Sequence, residues 1–69
     1  MKLSARNVLK CTVKQVKAGV VNSEVILELP NGGELVSIIT KESAERLGLA
    51  PGKEAYAVVK ASNIMVAVD

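Results

Sequence analysis

Two short polar stretches carry most of the chemistry that this 69-residue chain can offer. Ser4-Ala5-Arg6-Asn7 precedes the first strand-like stretch, and Lys60-Ala61-Ser62-Asn63 lies between the last two. Both are rich in hydrogen-bond donors. Ser4, Ser62, Asn7 and Asn63 offer hydroxyl or amide groups, and Arg6 and Lys60 add fixed positive charge. Each stretch also holds an alanine, small enough for backbone N–H groups to approach a ligand. Together the stretches suit a compact anion, whose lost hydration must be replaced by donors and compensating charge. The same residues also suit a plainer role, with Ser4 and Asn7 capping a strand end and Ala61-Ser62-Asn63 forming an ordinary turn. The start of a helix at Thr40-Lys41 is a third place for an anion, or simply a capped helix.

Conventional catalysis is poorly supplied. The chain has no histidine, so the usual general base near neutral pH is missing. Its single cysteine, Cys11, can form no disulfide within the chain and cannot build a zinc site. Cys11 alternates with Leu9 and Val13, which marks it as a small core residue. Glu24 and Glu28 read as a solvated strand face, and Lys10, Lys14 and Lys17 as solvent-facing residues that protect sheet edges. The expectation is a binding protein that is not an enzyme, with no cofactor and no direct protein ligands to a metal.

The elements that must position the two stretches are mostly strands. Asn7 to Lys17 alternates, with Leu9, Cys11 and Val13 on one face and Lys10, Thr12 and Lys14 on the other. The alternation slips at Gln15-Val16, the mark of a bulge or bend. After a turn at Ala18-Gly19, a second strand runs from Val20 to Leu29. Pro30-Asn31-Gly32-Gly33 is a hairpin signal, and Glu34 to Ile39 returns antiparallel. Thr40 to Gly48 predicts one short helix, capped by Thr40 and stopped by Gly48. Glu54 to Lys60 forms a fourth strand, and Ile64 to Val68 is predicted as a fifth. Five strands with a helix between the third and fourth is the order of an OB-like β-barrel, mostly β, in a single domain spanning residues 1–69.

Composition narrows the function classes further. Nine Lys/Arg against seven Asp/Glu give a net charge of +2, too weak for a polyanion binder driven by charge alone. Tyr56 is the sole aromatic, so there is no platform for stacking single-stranded bases. No apolar run is long enough to span a bilayer, and no signal-peptide core follows Met1. The expected location is the cytoplasm. Hydrophobic residues make up 49% of the chain, more apolar surface than one small barrel hides, and self-association is the simplest resolution.

The sequence resembles the molbindin (Mop) family of small molybdate-binding proteins, and the related domains of molybdate transporters and regulators. The resemblance covers essentially the whole chain. It is carried by Ser4-Ala5-Arg6-Asn7, by Lys17 to Val25, by Ser37 to Thr40, by Glu42 to Leu49 and by Gly52 to Val66. It implies a five-stranded OB-like barrel in a homohexamer, a trimer of dimers, with molybdate or tungstate held at subunit interfaces for storage or homeostasis. Ser4, Ala5, Arg6 and Asn7 would line a site from one subunit, and Lys60, Ala61 and Ser62 from a neighbour. Gly19 and Val20 would lie near further oxyanion sites. The metal enters as its oxyanion, with no nucleic acid or membrane partner. The competing readings are an OB-like nucleic-acid module and a purely structural assembly module.

Overall fold

The computed structural model describes residues 1–69. Its elements are β1 (Asn7–Ala18), β2 (Asn22–Glu28), β3 (Glu34–Thr40), helix α1 (Lys41–Arg46), β4 (Glu54–Val59) and a single 3-10 turn at Ala61–Asn63. The strands form one antiparallel sheet in the order β3-β2-β1-β4.

The long first strand explains the shape of the sheet. Its first half, Asn7 to Thr12, pairs with β4, and its second half, from Thr12 to Ala18, pairs with β2. The register slips between Val13 and Gln15, so Lys14 is an extra residue opposite β2. Such an insertion bends a strand and increases its twist. The sheet therefore curls, and residues of its two edge strands, β3 and β4, line common hollows. A second link holds the bend: Val13 N–H donates to Lys53 O and Gly52 N–H to Val13 O, both at 2.8 Å.

The inner face of the curl is the core. Cys11 and Val13 of β1, Val25 and Leu27 of β2 and Ala57 of β4 are buried together, as their alternation predicts. Ala44 is the one buried residue of α1. Lys10 and Lys14 point outward and pair with Glu54 and Glu34. A hydrogen bond from its carboxylate partner raises each ammonium pKa above the ordinary lysine value. Stabilisation of this sign fades only as pH rises through the raised lysine values, and at such exposed sites it is small.

Helix α1 is short and held by its ends. Thr40 Oγ1 accepts from Ser43 N–H at 3.0 Å and donates to Ser43 Oγ at 2.8 Å. At the other end, Gly48 adopts φ 65°, a left-handed conformation that a side chain disfavours. Gly48 N–H reaches Glu45 O and Leu49 N–H reaches Ala44 O, the paired bonds of a Schellman stop. Lys53 Nζ closes the remaining carbonyls, donating to Leu47 O at 2.7 Å and Gly48 O at 3.3 Å.

The fifth strand expected at Ile64–Val68 does not form, which corrects the five-stranded barrel. The sheet has four strands and two open edges. A strand exists through its ladder bonds, and after the 3-10 turn these residues meet no free edge of their own chain. No helix is long and apolar enough to cross a membrane. Replacing Thr40 with Ala removes the helix cap and is expected to cost about 1 kcal/mol in urea unfolding.

Candidate functional site

The antiparallel register of β1 and β4 sets Asn7 opposite Val59. One is the first residue of β1 and the other the last of β4, so the segments just outside them emerge side by side. The result is an open cleft of about 670 Å³ lined by Ser4, Ala5, Arg6, Val58, Lys60, Ala61, Ser62 and Asn63. A single chain thus brings both polar stretches together. The division between neighbouring subunits implied by the family resemblance is not needed to juxtapose them.

The backbone of this cleft is well supplied with donors. Ala61 and Ser62 open a 3-10 turn, whose first N–H groups have no partner within the turn. The turn is closed further on, by Asn63 N–H to Lys60 O at 2.9 Å and Ile64 N–H to Ala61 O at 3.3 Å. Across the cleft, Ser4, Ala5 and Arg6 precede β1, and none of the hydrogen bonds of turns and loops uses their N–H groups. The serine hydroxyls add further donors.

The electrostatics favour an anion. Arg6 and Lys60 both border the cleft and both are exposed. Neither is tied to a carboxylate, because the two ion pairs of the chain use Lys10 and Lys14. No acidic residue lines the cleft. Nowhere in the chain do three or more His, Cys, Asp or Glu side chains cluster as a cation site would need.

Other candidate residues fall elsewhere. Asn7 is half-buried and does not line the cleft, and its side-chain amide donates to Val59 O at 3.3 Å. It staples β1 to β4, the strand-end role that its position also allowed. Gly19 and Val20 lie beyond the far end of β1 from the cleft. Gly19 N–H is taken by Asn22 O at 2.8 Å, and a Cβ there would come within 2.7 Å of that same oxygen. Glycine at this position therefore has a backbone reason of its own. Val20 stands 94% exposed. The Thr40 hydroxyl and the Ser43 N–H cap each other at the start of α1. Val58 is the lining residue that the polar patterning passed over; it sits on the outward face of β4 with Tyr56.

The TOBE-domain family model matches residues 3–66. The molybdenum-pterin-binding protein MopA of Rhodobacter capsulatus is 51% identical over 97% of this chain, which spans 25% of MopA. The solved structure of a molybdate-binding protein from Sporomusa ovata superposes with a TM-score of 0.92 at 40% identity, covering 99% of this chain and 100% of that one. The cytoplasmic molybdate-binding protein ModG, solved with molybdate bound, superposes with a TM-score of 0.90 at 52% identity, covering 94% of this chain and 46% of ModG.

Replacing Asn7 with Ala is expected to cost about 1 kcal/mol in denaturant unfolding, the usual worth of one intramolecular hydrogen bond. Replacing Arg6 or Lys60 with Gln is expected to leave the melting temperature of the unliganded protein unchanged, because neither cation has a carboxylate partner to lose. Gly19→Ala is expected to lower that temperature through the clash with Asn22 O.

Proposed function

Because the chain belongs to the TOBE-domain family, within which it is similar to the molbindins, we propose that it binds molybdate and tungstate in the cleft between Ser4-Ala5-Arg6 and Lys60-Ala61-Ser62-Asn63. The observation that carries this reading is the cleft itself: two unpaired cations, unspent backbone N–H groups, and no carboxylate. Its role is storage or homeostasis of the oxyanion in the cytoplasm, without chemical change to the ligand. The working unit is a homo-oligomer, a hexamer on the pattern that the resemblance implies, with anions held where copies meet.

The chemistry of the ligand fits the lining. Molybdate and tungstate are tetrahedral dianions that are fully deprotonated at neutral pH and present only acceptors. Backbone N–H groups and serine hydroxyls fix the geometry, while Lys60 contributes mainly as a compact positive charge. Arg6 offers both its guanidinium and its backbone N–H. Phosphate at this pH keeps a proton, for which the lining offers only the neutral oxygens of Ser4, Ser62 and Asn63 and no carboxylate, and sulfate is smaller. Discrimination then rests on unpaired groups and fit. Molybdate and tungstate, alike in size and charge, are barely separated.

The open cleft is larger than one five-atom anion fills, since volumes of this order suit drug-sized ligands. A second copy lying across it would exclude water and strengthen each of these interactions.

Equilibrium dialysis is expected to show saturable molybdate uptake, with tungstate competing and excess phosphate failing to displace it. Displacement by phosphate at comparable concentration would sink the argument from a donor-rich shell without carboxylates. Lys60→Ala and Ser62→Ala are each expected to weaken uptake about tenfold, the effect of losing one charge-assisted or neutral hydrogen bond. Unchanged affinity in both would remove the cleft as the site.

A further inference from the structure

The hairpin signal Pro30-Asn31-Gly32-Gly33 plays no part in the cleft, and it sets an asparagine directly before a glycine. The other asparagines precede residues with side chains: Asn7 precedes Val8, Asn22 precedes Ser23 and Asn63 precedes Ile64. The difference has a chemical consequence. The backbone nitrogen of the following residue can attack an asparagine Cγ and close a five-membered ring. A side chain on that residue crowds the approach, a β-branched one most. Gly32 has none, and even a Cβ built there would meet nothing within 4 Å.

The hairpin also prepares the asparagine. Pro30 to Gly33 are all exposed, so water reaches the turn. Asn31 Oδ1 accepts from Gly33 N–H at 3.0 Å. This bond folds the side chain back over the backbone of Gly32, and it aims a donor at the oxygen on which negative charge develops when Cγ is attacked. Gly32 adopts φ 94°, a left-handed conformation that other residues adopt at a cost. The turn itself therefore demands glycine after Asn31. One contact opposes the attack: Gly32 N–H donates to Leu29 O at 2.9 Å. It lies in an exposed turn, where opening is local and needs no unfolding of the sheet.

We propose that Asn31 is a site of spontaneous self-modification, converting to aspartate and isoaspartate through a cyclic imide with Gly32. The Gly32 nitrogen bonds to Asn31 Cγ, the Cγ–Nδ2 bond breaks, and the proton of the Gly32 N–H departs with Nδ2 as ammonia. Water then opens the ring. Addition at Cγ restores the ordinary main chain with an aspartate side chain. Addition at the Asn31 main-chain carbonyl leaves isoaspartate, whose main chain runs through the former side-chain carbons and is longer by a methylene. Water is the only co-reactant. Both products add a carboxylate and lower the net charge of +2 by one unit. The new charge lies in the loop directly beyond Glu28 and Glu34, which already face each other across β2 and β3, and like charges gathered in this way are destabilising. Isoaspartate also lengthens a turn that two bonds hold closed, Gly32 N–H to Leu29 O and Leu29 N–H to Gly33 O at 2.7 Å. Oxyanion binding and assembly play no part in this chemistry, because the hairpin shares no residue with the cleft.

The test incubates the full-length chain in mildly alkaline buffer made with heavy-oxygen water, then maps its peptides by mass spectrometry. Label is expected at Asn31 before Asn7, Asn22 or Asn63, in both aspartate and isoaspartate, the latter identified by methyl transfer from an isoaspartyl methyltransferase. The rate is expected to rise about tenfold per pH unit, because the attacking amide nitrogen must first lose its proton. Asn31→Gln is expected to abolish the isoaspartate signal of the whole protein while its circular dichroism stays the same. Earlier label at another asparagine overturns the assignment, as does an isoaspartate signal that survives in Asn31→Gln. Aspartate without isoaspartate overturns the cyclic route, since direct hydrolysis gives only the former. A reaction that is absent from the native protein and appears only as urea unfolds the chain shows that the hairpin does not prepare Asn31, and overturns the proposal as well.

Discussion

Everything at the cleft depends on one pairing register, that of β1 against β4. Antiparallel strands place the start of one beside the end of the other. With Asn7 opposite Val59, the residues before β1 and after β4 become neighbours although more than fifty positions separate them in the chain. A shift of one residue would turn every side chain of β4 to the opposite face, exposing Ala57 and burying Tyr56 and Val58. The core therefore enforces the register, and the register builds the cleft. The Asn7 amide on Val59 O ties the strands at the very edge of the site.

The curl of the sheet follows from the same strand. A flat four-stranded sheet would leave β3 and β4 far apart. Because β1 spends its first half on β4 and its second half on β2, with Lys14 inserted at the changeover, the edges come round toward each other without meeting. The core enclosed by this curl consists of small and medium side chains, with no Phe or Trp to fill it. A chain so short, with neither disulfide nor resident metal site, buries too little surface alone to be comfortably stable. The homo-oligomer proposed above would meet the same need that the open edges create. The cleft and the open sheet edges are thus two consequences of one topology.

The cleft carries two cations and no carboxylate. Arg6 and Lys60 are both exposed there and neither has a carboxylate partner. On the proposed function, a dianion bound there would stabilise the folded chain by mass action. Glu54, the acidic residue that most closely precedes Lys60 in the chain, is committed to Lys10 on the outer face of the sheet.

Much of this was legible in the order of residues. Alternation placed Cys11 and Val13 on one face of the first strand, the face that is buried, because a strand's side chains swap faces at every step. Thr40 and Gly48 marked the ends of α1, since capping and left-handed stops are local chemistry. The two donor-rich stretches stood out by residue type alone. The fifth strand was misread for an equally physical reason: an apolar run states that a segment wants covering, and says nothing of whether its own chain offers an edge. Only the tertiary structure decided that the Asn7 side-chain amide is spent on Val59, and that Ser4 and Ser62 line one cleft from within one chain. These facts depend on pairing across nearly the full length of the polypeptide, which local sequence does not encode.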